Sequence, residues 1–292
     1  MGFGDTVSWT LGIKADTKKS EIGGYFSKIA ETMKEVREKL GKILEEHGSY
    51  EKVKVKVEEF IGKIGKIEEG AKEAGKGATG DIAVGNAVKN ESAVAASKEA
   101  INVLVKGIKV IVTVVLKDNE GNPVFTKTGG DQQKTIGGLF EKQDNAGEAV
   151  AAAASATIGA VSGADILKAI ATSKEDPVVD ANEGIEKAGD ASEIAVVPFK
   201  DGKKDIAEAT AKKDAVIAAG IALRGMAKDG KFAAKNEDQS ANAVNGVVAS
   251  AVNKVLSTLT IAIRNRVDEG LKEINKVLGE IKQGEISEAK SN

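Results

Sequence analysis

Three stretches of the chain carry apolar residues at alternating intervals of four and three, and that spacing constrains the fold most. The first is Ile22, Phe26, Ile29, Met33, Val36, Leu40 and Ile43, within "SEIGGYFSKIAETMKEVREKLGKILEEHG". The second is Val53, Val57, Phe60, Ile64 and Ile67. The third runs Val248, Val252, Val255, Leu259, Ile263, Val267, Leu271, Ile274, Leu278 and Ile281. A 4-3 repeat draws a stripe along one side of a helix, and each stripe needs a helical partner to cover it. The short "HGSY" joint predicts that the first two helices are antiparallel neighbours. The third predicts a helix of nearly 40 residues, about 55–60 Å long. The expected fold is therefore all-α, a single elongated domain over 1–292, with both chain ends at one end of the bundle.

Between the seams the texture changes, and the spacing assigns helical scaffold to 16–70, 92–116, 147–172, 212–230 and 244–283. Loops are expected at 71–91, 117–146, 173–211 and 231–243, where Gly, Asp, Asn and small residues collect. "GAKEAGKGATGDIAVGNAVKN" reads as loop with weak helix. The β-branched run "IKVIVTVVLK" fits a buried strand or a buried helix, and helix is preferred because no strand partner is visible. "VKVKV" at 53–57 could form an edge strand, but the seam crossing it favours helix. The alanine-rich 147–171 predicts one tightly packed helix in which Gly159 and Gly163 permit close backbone approach. That G-x-x-x-G pair reads as soluble packing, since no span of about 20 strongly apolar residues suggests a membrane helix.

"GMAKDGKF" at 225–232 comes near to a phosphate-binding loop, with Gly225, Gly230 and Lys231 correctly spaced. Such a loop needs a strand before it, a helix after it and a hydroxyl residue following the lysine. Here a helix of about 213–229 precedes it, and Phe232 stands in place of the hydroxyl. Asp229-Gly230 reads as a helix stop, with the glycine left-handed and Lys228 and Lys231 facing the negative end of the dipole. Between Asp214 and Lys228 only Arg224 is charged, so this helix is expected to be covered on several sides.

Composition closes off most chemistry. The chain has no Cys and one His, His47, which removes thiolate nucleophiles, Ser-His-Asp triads and histidine-rich metal sites. His47 reads as a helix-end residue suited to the dipole. Glu45-Glu46 and Glu58-Glu59 point about 100° apart on a helix and read as solvated faces rather than acid/base or metal pairs. With 42 basic and 44 acidic residues and 3% aromatics, nothing favours nucleic acid. No catalytic, cofactor-binding or metal-binding residue is expected. No signal peptide precedes "MGFGDTVSW".

"IALRGMAKDGKFAAK" resembles the central segment of the variable surface lipoproteins of Borrelia, the family of the variable large proteins of relapsing-fever species and of VlsE. "TIGGLFEKQDNAGEAVAAAAS", "GAVSGADILKAIA" and "VLSTLTIAIRNRVDEGLKEINKVL" are similar to other blocks of that family, so the likeness covers nearly the whole chain. The resemblance implies an outer-surface lipoprotein of antigenic variation and immune evasion, elongated and helical, with membrane-proximal termini and variable distal loops. It further implies host antibodies as partners of those loops and an outer-membrane tether through an N-terminal lipidated cysteine, a residue this sequence lacks. The alternative is an adhesin that meets host glycans or host proteins through Lys200, Lys203, Lys204, Lys212 and Lys213.

Overall fold

The seams close on one another as helices. In the computed structural model, which describes residues 12–291 and the side chains of 12–281, the first is α1 (Lys19–His47) and the second α2 (Glu51–Gly77). Every seam residue from Ile22 to Leu40 and from Val53 to Ile67 is buried, and Ile43 is partly so. "MGFGDTVSW" lies outside the described residues.

Helix α2 does not stop at 70. It continues through the glycine-rich "GAKEAGKG" to Gly77, in a segment the sequence assigns to loop. The reason is α3 (Lys98–Val115). A methyl group on Gly70 would come within 2.8 Å of Ile111 Cγ1, and one on Gly107 within 2.8 Å of Ala74 Cβ. Glycine costs a helix about 1 kcal/mol relative to alanine, and close packing of α2 on α3 offsets that. The same burial settles the β-branched run. Ile108, Ile111, Val112, Val114 and Val115 are all buried on α3, whose start is capped by Ser97 Oγ accepting from Ala100 N at 3.2 Å. "VKVKV" is helical as well.

The expected single helix at 147–171 is two, α5 (Glu148–Ala160) and α6 (Gly163–Thr172), bent by 98°. Val161 is extended, and Ser162 and Asp165 form a reciprocal capping box that starts α6. Gly163 packs where a side chain would strike Thr258 and the Lys254 carbonyl; Gly159 faces open space, so only one of the expected close approaches is made.

The stretches 117–146 and 173–211 are more ordered than loops. They contain α4 (Gly130–Thr135), 3-10 turns at Ile136–Phe140, Gln143–Asn145 and Gly184–Lys187, and α7 (Ala191–Val196), whose residues are all buried. Helix α8 (Asp214–Met226) is shorter than the expected 213–229. Helix α9 (Asp238–Ser291) starts earlier than 244 and spans 54 residues, about 80 Å. It contains a stretch of span length with mean hydropathy 1.6, more apolar than the sequence reading allowed, and 61% of that stretch is buried inside the protein. Among the described residues, β pairing is confined to isolated bridges such as Glu91 with Ala234 and Val94 with Lys231.

Chain direction departs from expectation. Gly85 N donates to the Ala15 carbonyl, and Asn245 Oδ1 accepts from Ala87 N at 2.7 Å, so the first described residues sit beside the start of α9. Further down, Tyr25 Oη donates to the Leu256 carbonyl at 3.0 Å, and Lys56 meets Glu273 at 3.4 Å. Helices α1 and α9 are therefore parallel, and α9 ends beside the α1–α2 turn. The first described residues and the end of α9 lie at opposite ends of the bundle, not together.

Candidate functional site

Helix α8 is the centre of the upper half of the molecule: all 13 of its residues are buried. Its sequence forbids exposure on any side, since Val216, Ile217, Ile221, Leu223 and Met226 point around the whole circumference. Gly220 admits Ile194 of α7, and Gly225 admits Val248 and Val252 of α9.

The charged groups within this apolar packing hold its ends and its neighbours. Arg224 is fully buried, with its guanidinium carbon 4.8 Å from the centre of the Phe140 ring. Its Nε donates to the Ala195 carbonyl at 3.0 Å, and its Nη2 to those of Ile194 at 3.1 Å and Val197 at 2.5 Å. These are carbonyls at the end of α7 without intrahelical donors, so Arg224 caps that helix from the side, with Ala96 N also reaching Ala195 at 3.3 Å. Its Nη1 reaches the Val94 and Lys231 carbonyls at 3.3 and 3.4 Å. Burial pulls the group down to about 9, and it stays charged at neutral pH.

Lys19, the first residue of α1, does for α8 what Arg224 does for α7. Its Nζ donates to the carbonyls of Arg224 at 3.1 Å, Ala227 at 2.5 Å and Gly230 at 2.7 Å. Burial, followed by the charge of Arg224, lowers its pKa to about 7, with Asp229 pulling the other way. Lys228 and Lys231, expected at this helix end, are elsewhere: Lys228 is exposed, and Lys231 pairs with Glu91 at 2.8 Å. Nor is Gly230 left-handed. Asp229 takes the positive φ, 67°, while the Gly230 carbonyl accepts from Lys19 and, at 2.5 Å, from Asn86 Nδ2.

At the other end of α8, buried Asp214 accepts from the backbone of Lys127 at 2.6 Å and of Thr128 at 2.8 Å. The Thr128 hydroxyl and Gln133 Nε2 add further bonds. Burial alone would raise its pKa, but these donors outweigh it and hold the carboxyl below its ordinary value. Other connecting segments are pinned in the same way. Glu141 accepts from Gly202 N at 2.9 Å and from Asn145; Glu193 accepts from Lys174 Nζ at 2.5 Å and Gly189 N at 2.8 Å; Asp165 accepts from Asn122 N at 2.7 Å. The spacing of Asp214, Glu141 and Asp165 does not announce this role, because their backbone partners lie 43 to 87 positions away.

The other sequence candidates resolve in place. In "GMAKDGKF" a helix precedes, Gly225 is inside it, and Phe232 is buried 5.7 Å from Phe140, so no phosphate cradle forms. His47 ends α1, 3.9 Å from Glu46. Glu45, Glu46, Glu58 and Glu59 are exposed, and Glu59 bonds Lys63, which holds its carboxyl below the usual range. Among the described residues no acidic or histidine cluster suits a metal ion. Lys203 is committed to Glu183 at 2.9 Å and Glu186 at 3.3 Å, Lys187 meets Glu208, Asp201 lies between Lys200 and Lys203, and Asp205 follows Lys204. The expected basic surface is thus interleaved with carboxylates.

The chain is similar to known proteins both in sequence and in fold. Residues 1–278 match the sequence profile described as Borrelia lipoprotein. Variable large protein 17 of Borrelia hermsii is 56% identical over 264 residues, covering 89% of this chain and 74% of that protein. Variable large protein 4 of the same organism is 54% identical over 295 residues, covering 99% and 83%. Among solved structures, the Lyme disease variable surface antigen VlsE of Borrelia burgdorferi superposes with a TM-score of 0.79 at 31% identity, covering 94% of this chain and 92% of that one. The chain belongs to the Borrelia lipoprotein family, among its variable large proteins and surface antigens.

Proposed function

We propose that this protein is a lipid-tethered antigen of the outer membrane whose activity is exposure: its outer segments change between variants, host antibodies follow them, and the constant interior stays out of reach. On this reading it performs no catalytic step and needs no cofactor. The observation that carries the proposal is the complete burial of α8 among α5, α6, α7 and α9. Exposed turns between the buried, hydrogen-bonded parts of these segments accept substitution and length change at small cost, because closing a longer loop costs only about 0.6 kcal/mol per doubling. Antibody raised to peptide 215–232 should bind the denatured protein far better than the folded one and should leave intact cells unstained. Equal staining of living and permeabilised cells would end the concealment reading.

A further inference from the structure

Between α2 and α3, residues 78–97 cross the C-terminal half of α8 without forming helix. The Val94 carbonyl accepts from Arg224, and a methyl added to Gly225 or Gly230 would come within 3.8 Å of Val84 or 3.2 Å of Ala96. The segment buries little apolar surface in doing so. Its large apolar side chains face out, with Ile82 41%, Val88 45% and Val94 46% exposed. Apart from Val84, those that face in are Ala78, Ala87, Ala93 and Ala96. Hydrogen bonds hold it instead. Asn86 Nδ2 donates to the Gly230 carbonyl, and its Oδ1 accepts from Phe232 N at 3.3 Å. Asn245 of α9 clasps Ala87, accepting from its N–H at 2.7 Å and donating to its carbonyl at 3.1 Å. Residues 91–97 pair with 228–234 through Glu91, Val94 and Ser97. The non-glycine residues of positive φ among those described, Asn90 at 62° and Asp229 at 67°, stand at opposite ends of that pairing.

We propose that 78–97 is a gate, which lifts as one piece while the helical seams stay closed and uncovers 224–234, with Asn86 and Asn245 as its latch. The balance of forces argues for it. Water takes up the polar groups that lifting would release, so each bond adds little net stability, whereas apolar burial, which water does not replace, is small here. Left-handed backbone at Asn90 and Asp229 stores strain that lifting relieves. Seam helices bury large side chains along their whole length and gain nothing from parting. The gate makes the concealment of 224–234 an equilibrium. Only that consequence rests on the surface-antigen reading, and the test needs neither cells nor antibody.

Native-state hydrogen exchange of the full chain, followed by mass spectrometry in rising denaturant, separates the two openings. Peptides covering 84–97 and 228–234 should exchange through an event whose denaturant slope is less than about half that of seam peptides covering 29–40 and 57–67, because it bares less surface. Asn86→Ala should speed exchange of both gate peptides about tenfold. Asn245→Ala, which removes bonds to Ala87 alone, should do the same to both, 228–234 included. Ile64→Val, in the fully buried seam, should speed the seam peptides and leave the gate peptides unchanged, since the seam is intact when the gate is open. Gate peptides that share the seam slope, or that Ile64→Val speeds equally, would show that the segment parts only when the whole protein unfolds. Acceleration by Asn245→Ala confined to 84–97 would show that it does not move as one piece. Either result overturns the proposal.

Discussion

Two buried cations without a buried carboxylate partner make an unusual centre for an apolar helix, and their logic is that of helix ends. Carbonyls at the end of α7 and α8 have no intrahelical donors, and burial removes water as an alternative. Arg224 and Lys19 supply those donors from outside each helix. Removing either leaves several carbonyls unsatisfied, so Arg224→Met should destabilise the fold by about 3–5 kcal/mol in chemical denaturation. Arg224→Lys should recover little, because one ammonium cannot reproduce the fork that spans Ile194, Ala195 and Val197. Lys19 adds a pH dependence. Its folded pKa, about 7, lies below the ordinary lysine value of 10.5 that holds in the unfolded chain. Between those values the unfolded chain binds more protons, so this group makes stability rise with pH, by up to about 1.4 kcal/mol per unit, and level off below pH 7. Denaturation midpoints from pH 7 to 9 should climb more steeply in the parent than in Lys19→Met; parallel profiles would show that Lys19 is not the titrating group. Arg224 was conspicuous in the sequence as the one charge in an apolar run. Lys19 was not, since its acceptors lie more than 200 positions away.

At the level of elements, the seams were fully legible because a 4-3 repeat records burial in the chain itself. What escaped was helix whose reason lies in a neighbour. "GAKEAGKG" carries low intrinsic propensity and reads as loop, yet Gly70 and Gly77 are the points where α3 approaches and Gly75 lies against α1. The α5–α6 bend was written in Ser162 and Asp165, a start signal hidden inside an alanine-rich run. The early start of α9 at Asp238 and the burial of α7 depend on tertiary contacts that no local pattern encodes. Gly107 tests this account of α2 and α3. A methyl there would overlap the Gly70 carbonyl and the Ala74 backbone, so Gly107→Ala, which raises helix propensity, should nonetheless destabilise the protein by about 1–3 kcal/mol. Gly24→Ala is the control, because nothing lies within 4 Å of its added carbon. It should stabilise slightly, and the opposite order in thermal melts would remove close packing as the reason for these glycines.

For the whole molecule, the parallel course of α1 and α9 poses a question of orientation. The segments at 80–97, 136–147 and 198–206 gather at the end where α1 and α9 begin, as the bonds from Gly85 to Ala15, Ala93 to Glu141 and Ile206 to Lys134 show. The α1–α2 turn and the end of α9 form the other end. If the gathered segments face outward, a tether joined before residue 12 must run back along α1, a distance of about 43 Å for its 29 residues. Extended chain covers roughly 3.3 Å per residue, so thirteen or so residues suffice. Because the chain contains no Cys, a single introduced thiol reports position without interference. Asp201→Cys marks the end with the gathered segments, and Lys276→Cys marks the end near the α1–α2 turn; both sites are exposed. On intact cells a maleimide carried by an antibody-sized protein should label Asp201→Cys readily and Lys276→Cys poorly, while a small impermeant maleimide labels both. The reverse preference would turn the molecule over, placing the α1–α2 turn outermost and the gathered segments against the membrane, where they could not serve as the variable face.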